Sequence, residues 1–278
     1  TTLFEHALTL YQTLPNTQRD QAKCLFYLAN TLSKLDKLAQ AESHYRQALT
    51  LYQDIPNTEE HQATCLYNLA TILATRGKLA DAEPYYHQAL TLYQDIPNTE
   101  EHQADCLKNL VSTLWMLGQP ADAEPYYRQA LTLYQTLPNT QRDQATCLKN
   151  LATTLSKLNK LAQAEPYYHQ ALTLYQDIPG TERDQATCLK NLATTLRKLD
   201  KLAQAESHYR QALTLYQDIP NTERQQATCL YNLATTLDKL GQPADAEPHY
   251  RQALTLYQDI PNTEKNQANC LHLLATTL

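Results

Sequence analysis

The 278-residue sequence is poor in several residue types, and each shortage excludes a class of protein. It contains only four glycines, all isolated, so it has no glycine-rich loop of the kind that holds a nucleotide phosphate. No apolar run is long enough to span a membrane, and no secretory segment begins at Thr1. With one tryptophan, one methionine and two phenylalanines, the sequence must build its core from leucine, alanine and its 19 tyrosines.

Cysteine is present in a regular pattern, once every 41 residues. The series is Cys24, Cys65, Cys106, Cys147, Cys188, Cys229 and Cys270. A fixed period of this size predicts a solenoid built from repeats. Equivalent positions in stacked helices lie too far apart for a disulfide, which favours free buried thiols and a reducing, cytoplasmic location. No two cysteines are close in sequence, so we expect no zinc site and no cofactor.

Counting from the cysteines divides the chain into repeats of one solenoid domain, 1–278. The second half of a repeat occupies 1–21, and the first helix of a further repeat occupies 268–278. Six complete repeats lie between them, at 22–62, 63–103, 104–144, 145–185, 186–226 and 227–267. Because the chain begins and ends within a repeat, we expect it to be a fragment of a longer chain.

Each repeat has the apolar spacing of two helices. Leucine recurs 1, 4 and 8 residues after the cysteine, and alanine, or Val111 in one copy, 5 residues after it. This spacing forms one apolar face of a first helix. Alanine, tyrosine and leucine alternate through the second half of the repeat, as in Ala205, Tyr209, Ala212, Leu213 and Tyr216. Small and large residues alternating in this way let helices interlock, so we interpret both tyrosine positions as core.

Turn residues separate the predicted helices. Gly77 and its counterparts mark a left-handed turn between the two helices, and Pro120 starts a second helix. Pro84 is predicted to lie in the opening turn of the second helix, where proline is tolerated. Pro56 ends that helix, and the run Asn57-Thr58-Glu59-Glu60 then supplies a cap and first-turn acids for the next one.

At this point the chain resembles the tetratricopeptide repeat family. The residues that carry the resemblance in one repeat are Leu230, Leu233, Ala234, Leu237, Gly241, Ala246, Tyr250, Ala253 and Leu254. The long repeat, with its extra connector YQDIPNTER and its Ala-Glu-Pro run, is similar to repeats of kinesin light chains and of bacterial multidomain regulators. The resemblance implies an all-α, right-handed superhelical solenoid of antiparallel helix hairpins, whose first helices line the concave side.

The sequence contains no recognisable catalytic constellation, and we predict that the protein is not an enzyme. Its nine histidines fall mostly on exposed helix faces or in connectors. The formal net charge of −6 argues against nucleic acid or an anionic membrane as the main partner.

One face of the first helix carries an asparagine 3 residues after the cysteine in five successive repeats. These are Asn68, Asn109, Asn150, Asn191 and Asn232. An amide both donates and accepts hydrogen bonds, so a row of amides suits the backbone of an extended peptide, and ladders of this kind bind peptides in related repeat proteins. The alternative is that each asparagine bonds its own helix or its neighbour.

The same face concentrates basic residues in an otherwise acidic protein. They include Lys108, Lys149, Lys190, Lys157, Arg197 and Lys198. A concave cleft focuses this positive potential, which would draw in an acidic peptide segment. The alternative is an ordinary solvated face on which lysine is common.

Aromatic residues and the single methionine complete the predicted peptide-binding groove. Trp115 and Met116 lie together in the third repeat, and Tyr67 and Tyr231 lie 2 residues after their cysteines. An exposed tryptophan beside an adaptable methionine is typical of a binding anchor. The alternative is that Trp115 packs on the next repeat.

The sequence therefore predicts a non-catalytic scaffold that binds an extended, acidic peptide or protein segment in its groove. A second hypothesis is the sensor or autoinhibitory arm of a larger bacterial enzyme or signalling switch. A third is head-to-tail self-assembly into a homo-oligomer through leucines and a phenylalanine exposed at the two ends. The end residues in question are Leu3, Phe4, Leu8, Leu274 and Leu278.

Overall fold

The computed structural model describes residues 2–277. Over that range it contains fourteen α-helices and no strand. The first seven are α1 (Thr2–Thr13), α2 (Gln18–Lys34), α3 (Leu38–Gln53), α4 (Glu59–Thr75), α5 (Leu79–Gln94), α6 (Glu100–Met116) and α7 (Pro120–Thr136). The others are α8 (Gln141–Lys157), α9 (Leu161–Gln176), α10 (Glu182–Lys198), α11 (Leu202–Gln217), α12 (Glu223–Lys239), α13 (Pro243–Gln258) and α14 (Glu264–Thr277). The predicted all-α fold of repeated helix hairpins is confirmed.

Two compact units divide the chain, Thr1–Pro138 and Asn139–Leu278. We call them the N-terminal unit and the C-terminal unit and describe each by itself. The N-terminal unit holds the hairpins α2/α3, α4/α5 and α6/α7, and the C-terminal unit holds α8/α9, α10/α11 and α12/α13. Within each unit a second helix packs on the first helix of the following repeat, as α3 does on α4 and α9 on α10.

The apolar faces that the sequence predicts form the core of each unit. In α10, Leu192, Ala193 and Leu196 are fully buried, and their counterparts in the other complete repeats are buried as well. The seven cysteines are free and buried, as predicted. Burial raises the pKa of all seven thiols, to about 12 for Cys188. They therefore act as small apolar groups in the packing between helices.

Both tyrosine positions of the second helix are buried in every complete repeat, which confirms their interpretation as core. Tyr209 and Tyr216 of α11 are fully buried. The alanines on the same face, Ala205 and Ala212, are also fully buried. These small residues let the neighbouring helix approach closely, and the tyrosine rings then fill the space on either side of the contact.

The turn between the two helices of a repeat has the predicted left-handed residue. Gly77 adopts a φ of +77°, and Asp36 and Asn159 take the same role at +58° and +61°. Lys78, which follows Gly77, donates its N–H to the carbonyl of Leu73 at 2.8 Å, which closes the end of the first helix. The second helix therefore begins at once, with Leu79 as its first residue.

This early start corrects the predicted position of Pro84. The proline lies inside α5, as the sixth residue of the helix that begins at Leu79, and not in its opening turn. Proline has no N–H to donate to the carbonyl four residues earlier, so α5 lacks one backbone hydrogen bond there. The helix continues through the proline because its buried face remains packed on α4.

The connector between repeats corrects the predicted role of Thr58. This threonine precedes α4, but its hydroxyl makes no hydrogen bond to the N–H groups of that helix. The hydroxyl donates backwards instead, to the carbonyls of Tyr52 at 2.6 Å and Ile55 at 2.8 Å. Gln62 adds a bond from its side-chain amide to the Tyr52 carbonyl at 3.2 Å. The extra residues of the long repeat thus close the end of the preceding second helix.

The predicted exposure of apolar residues near the chain ends is only partly correct. Leu3 is 82% exposed, and Phe4 and Leu8 are half-buried. Leu274 is only 8% exposed because α14 packs on α13, so its predicted exposure is wrong. Leu271 is the exposed leucine of α14, at 55%. Leu278 lies outside the described residues.

Candidate peptide-binding face

The candidate site is the side of each first helix that carries residues 2, 3, 6, 9 and 10 positions after the cysteine. We call this side the first-helix face. First helices of successive repeats contact one another, α4 with α6 in the N-terminal unit, and α8 with α10 and α10 with α12 in the C-terminal unit. The face is therefore a row of side chains that runs from helix to helix within each unit.

Tyrosines from the second helix fix one edge of this face. Tyr209 and Thr194 share a hydrogen bond of 2.9 Å between α11 and α10. Tyr86 and Tyr168 make the same bond to the threonine of their own repeat, at 3.2 and 3.1 Å. These bonds tie the two helices of a repeat together, so the first-helix face is held rigidly on its partner helix.

Asp238 in α12 also bonds to a tyrosine of the second helix at this edge. Its carboxylate accepts the hydroxyl of Tyr250 at 2.6 Å. Burial, and then this carboxylate, raise the pKa of Tyr250. The acidic group is therefore turned towards the helix pair, which reduces the negative charge that the face presents.

The five asparagines are half-buried on the face. The amide of Asn109 donates to the hydroxyl of Tyr67 at 2.9 Å, across two neighbouring repeats of the N-terminal unit. The side chains of the other four make no hydrogen bond to any residue in the range 2–277. The other four are Asn68, Asn150, Asn191 and Asn232. Four of the five predicted amides thus keep their donor and acceptor groups available for a ligand.

Lys149 carries a charge that the protein itself neutralises. Its side chain is only 13% exposed, and its Nζ lies 2.7 Å from Oδ1 of Asp184 in the next first helix, α10. The same ammonium group lies 5.5 Å from the centre of the Tyr175 ring. Burial acts to lower the pKa of Lys149, but the hydrogen bond that it donates to Asp184, together with Tyr175 and the charge of Asp184, outweighs burial, and the pKa is raised. Lys149 is thus a structural link between repeats.

Lys190 occupies the same position in α10, with different surroundings. The residue of the next repeat that corresponds to Asp184 is Gln225, which carries no charge. Lys190 is half-buried and makes no ion pair with any residue that the structure describes. Its positive charge acts on the Cys229 thiol, where it opposes the effect of burial. The charge of Lys190 is therefore available on the face.

Two more basic residues of α10 lie near Lys190. Arg197 is half-buried, two helical turns further along, and its Nε is buried without a hydrogen-bond partner. Burial raises the pKa of the neighbouring Tyr209, and the positive charge of Arg197 acts in the opposite direction. Lys198 and Lys157 are exposed at the ends of α10 and α8. The predicted basic residues of the C-terminal unit thus lie on adjacent first helices.

The first-helix face of the N-terminal unit is more apolar. Tyr67 packs edge-on against Tyr86, with ring centres 6.0 Å apart. Trp115 is half-buried, Met116 is 60% exposed, and Lys108 is exposed. Tyr231 repeats the edge-on packing in the C-terminal unit, against Tyr250 at 6.0 Å. The predicted aromatic residues therefore combine an exposed edge with a packed ring.

Comparison with protein-family models gives matches along most of the chain. A tetratricopeptide repeat model matches residues 1–54, 61–136, 143–218 and 184–259, and a second tetratricopeptide model matches residues 111–165. The chain belongs to the tetratricopeptide repeat family. No curated protein sequence matches it. Tetratricopeptide repeats serve as protein-interaction scaffolds, and this chain has the fold of one.

Solved structures agree with the tetratricopeptide fold. BtubC (BKLC) from P. vanneervenii is 20% identical with a TM-score of 0.63, covering 80% of this chain and 88% of its own. The apo form of RapI is 13% identical with a TM-score of 0.62, covering 92% and 96%. YrrB, described as a TPR protein with an unusual peptide-binding site, is 21% identical with a TM-score of 0.58, covering 77% and 93%.

Sequence reasoning missed the partner of Lys149 in this tetratricopeptide array. The acid lies 4 residues before the cysteine of the next repeat, a position not assigned to the face. The signal is visible when two positions are compared along the chain. Phe26 and Tyr67 are followed in the next first helix by His61 and His102, and Lys108 and Lys149 by the acids Asp143 and Asp184. Lys190 and Tyr231 are followed by Gln225 and Asn266, which carry no charge.

The face of the tetratricopeptide repeats offers binding chemistry, with amides, ammonium groups and aromatic edges. Within residues 2–277, no group of three or more His, Cys, Asp or Glu residues is arranged to hold a metal ion. Burial raises the pKa of Cys65, Cys106 and Cys147 to about 12, so these thiols are not poised as nucleophiles. None of the described helices has the length and apolar character to cross a membrane.

Proposed function

We propose that this scaffold binds an extended acidic segment of a partner protein along the first-helix face of the C-terminal unit. One observation carries the proposal. Lys149 is neutralised by Asp184, whereas Lys190, at the same position one repeat later, faces Gln225 and keeps its charge. A half-buried ammonium group without an internal counter-charge is stabilised by an acidic group that a ligand supplies.

The asparagines of this unit would hold the backbone of that segment. Asn150, Asn191 and Asn232 lie at equivalent positions of α8, α10 and α12, and their amides are not used within the described chain. Each amide can accept one peptide N–H and donate to one peptide carbonyl. Recognition of this kind reads the extended backbone and is independent of the side chains of the ligand.

The charge of the face would select an acidic sequence. Arg197 and Lys198 add two positive charges on the helix that carries Lys190. Charges of one sign along a cleft raise the association rate of an oppositely charged ligand, and salt weakens this effect. We therefore expect the affinity to fall as the ionic strength rises.

The N-terminal unit would contribute a different kind of contact. Tyr67, Trp115 and Met116 present aromatic and thioether surface on its first-helix face, next to the exposed Lys108. Large aromatic and methionine side chains dominate the energy of many protein interfaces. This surface suits an apolar side chain, and Trp115, as the single tryptophan, can report its binding through fluorescence.

The proposal is tested by giving Lys190 the environment that Lys149 has. The variant Gln225→Asp places an acid opposite Lys190 without altering Lys190 itself. Binding of a fluorescein-labelled peptide of alternating glutamate and alanine is measured by fluorescence anisotropy at low salt. We expect Gln225→Asp to weaken binding roughly tenfold, because the ion pair competes with the ligand.

The matched control is Gln217→Asp, which adds the same charge at an exposed position in the second helix α11. It should leave the affinity within about twofold of the unaltered protein. An equal loss in both variants would show that only net charge matters. Equal binding of a peptide of alternating lysine and alanine would contradict the proposal as a whole.

A further inference from the structure

The second helices of neighbouring repeats touch through residues that the peptide-binding face does not use. In each pair of repeats, the first residue of the contact lies 22 positions after the cysteine of its repeat. The second residue lies 20 positions after the cysteine of the following repeat. We call each such contact a second-helix seam. In the N-terminal unit, Arg46 donates to the hydroxyl of Tyr85 at 2.6 Å, and its guanidinium lies 5.4 Å from the centre of that ring.

The next seam of the N-terminal unit also contains a tyrosine. Nδ1 of His87 lies 3.4 Å from the hydroxyl oxygen of Tyr126, and the ring centres are 5.2 Å apart. Both seams therefore join one basic side chain to a phenol, which stays neutral from pH 5 to pH 8. The first repeat has His44 in place of the tyrosine, but the residue at the opposing position is Glu5, which carries the opposite charge.

The seams of the C-terminal unit join two basic side chains. His169 in α9 meets His208 in α11, with ring centres 6.0 Å apart in an edge-to-face arrangement. One repeat later, Arg210 in α11 and His249 in α13 occupy the two seam positions. Arg210 also pairs with Glu206 of its own helix at 2.9 Å, and its positive charge acts on His249. When the imidazoles are protonated, each of these seams brings two positive charges together.

At neutral pH the imidazoles of His208 and His249 are kept uncharged. Burial lowers the pKa of His208, the side chain of Gln211 acts to raise it, and the neighbouring His169 lowers it further. Nδ1 of His208 and of His249 is buried without a hydrogen-bond partner. In the folded protein at neutral pH, the imidazole of His208 is therefore packed in the seam in its uncharged form.

His249 has more charged neighbours. Burial and then Arg210 lower its pKa, whereas Asp245, Gln252 and Glu206 act in the opposite direction. No ionisable side chain of α10, α12 or α14 within the described range forms an ion pair with either imidazole. The nearest source of positive charge is thus the preceding second helix in both seams.

We propose that the two second-helix seams of the C-terminal unit form a proton-operated joint, in which acid places like charges on His169 and His208 and on Arg210 and His249 and so separates the second helices. The N-terminal unit contains the same seams without this device. The proposal is independent of the peptide-binding function, because it concerns the opposite helices of each repeat and needs no ligand.

The direction of the pH effect follows from the histidines. Their ordinary pKa is 6.5, and in the folded protein it is lower. As the pH falls through 6.5, the unfolded chain takes up protons before the folded one, so folding stability is lost in this range. The loss ends once the pH is below the folded-state pKa, because both states are then protonated.

Hydrogen–deuterium exchange of the full chain at pH 7.5 and pH 5.5, corrected for the intrinsic pH dependence of exchange, tests the proposal. We expect amides of α9, α11 and α13 to lose protection about tenfold on acidification, relative to amides of α3 and α5. An equal loss of protection in both units would overturn the proposal.

The chain itself supplies the substitutions that test the cause. The double variant His208→Tyr and His249→Tyr introduces the residue found at the equivalent Tyr85 and Tyr126. It should abolish the extra loss of protection at pH 5.5. The reverse change, Tyr85→His, places an imidazole opposite Arg46 and should create an acid-sensitive seam in the N-terminal unit.

A milder variant covers the case in which the double tyrosine variant does not fold. Arg210→Gln leaves both histidines in place and removes the charge that faces His249. It should reduce the acid effect at α13, where burial of His249 still acts, and leave that between α9 and α11 unchanged. If the double variant, or Arg210→Gln at α13, loses as much protection in acid as the unaltered protein, the seams are not the joint.

Discussion

The N-terminal and C-terminal units have the same repeated core, but they differ in the charged residues that surround it. Residues 1–138 contain 15 acidic and 9 basic residues, whereas residues 139–278 contain 14 of each. The entire formal net charge of −6 therefore belongs to the N-terminal half of the sequence. Because the buried residues hardly change between the units, the differences lie on surfaces that could meet a partner.

The two units differ at the same three places in the repeat. On the first-helix face, the residues 2 after the cysteine are two aromatics and one lysine in the N-terminal unit, and two lysines and one tyrosine in the complete repeats of the C-terminal unit. In the connector, Glu60 corresponds to Arg183, whose guanidinium donates to the carbonyl of Pro220 at 2.7 Å. The N-terminal unit makes this bond once, from Arg19 to the carbonyl of Pro56 at 3.0 Å. At the second-helix seams, tyrosine is replaced by histidine. A fixed packing pattern thus allows each surface to vary by itself, which is what a repeat array offers.

The largest losses of stability are expected from leucine-to-alanine substitutions that leave a cavity in the core of either unit. Leu69→Ala in the N-terminal unit and Leu192→Ala in the C-terminal unit each remove a fully buried side chain. Each should cost about 2–5 kcal/mol of unfolding free energy. Since a repeat contacts mainly its neighbours, hydrogen exchange should show the loss chiefly in the altered unit. A uniform loss over both units would mean that they unfold as one.

An intermediate effect is expected from the ion pair that only one lysine has. Asp184→Asn leaves the ammonium group of Lys149 largely buried without its counter-charge, and should cost about 1–2 kcal/mol in urea denaturation. The matched substitution Gln225→Asn, beside Lys190, removes no ion pair and should change stability by less than about 0.5 kcal/mol. Equal costs would contradict the difference between the two lysines.

A smaller difference in stability is expected between phenylalanine substitutions of Tyr216 and of Tyr52, which lie at the same position near the end of their second helices. Tyr216 shares a hydrogen bond of 3.1 Å with Thr187, so Tyr216→Phe should cost about 1 kcal/mol. The hydroxyl of Tyr52 is buried without a partner, because Lys23 stands where the other repeat has Thr187. Tyr52→Phe should therefore be neutral or stabilising, as measured by thermal unfolding. A cost equal to that of Tyr216→Phe would contradict this.

Lys23→Thr provides the complementary gain. It supplies the hydroxyl partner that Tyr52 lacks, and should raise the free energy of unfolding by about 0.5–1 kcal/mol. The double variant Lys23→Thr with Tyr52→Phe serves as the control, because it removes the new bond again. If the double variant keeps the gain, the benefit comes from removing the lysine and not from the bond.

The smallest effect is expected in the connectors. Arg183→Gln removes the exposed bond to the Pro220 carbonyl and should cost about 0.5 kcal/mol. Glu60→Arg introduces the same side chain in the N-terminal unit and should gain a similar amount at most. Both are read from denaturant midpoints in low and high salt. A larger change in either would show that connectors contribute more to stability than their exposure indicates.

Much of the fold follows from the sequence because its signals are local and repeated. Leucines at helical spacing, the left-handed turn at Gly77 and the starting residue Pro120 each act within one or two helical turns. The predictions that failed depended on details beyond this range. Pro84 lies inside its helix because the turn before it is so tight, and Thr58 bonds backwards because the carbonyls of the preceding helix are within its reach.

The sequence by itself determined the period, the two helices of each repeat and the residues that fill the core, since these depend on spacing along one chain segment. Only the tertiary structure decided which charges remain available. Asp184 of α10 reaches Lys149 of α8, and the rings of His169 and His208 meet between two second helices. Such contacts join residues 35 and more positions apart, and their energy depends on burial and distance, which a periodic pattern does not specify.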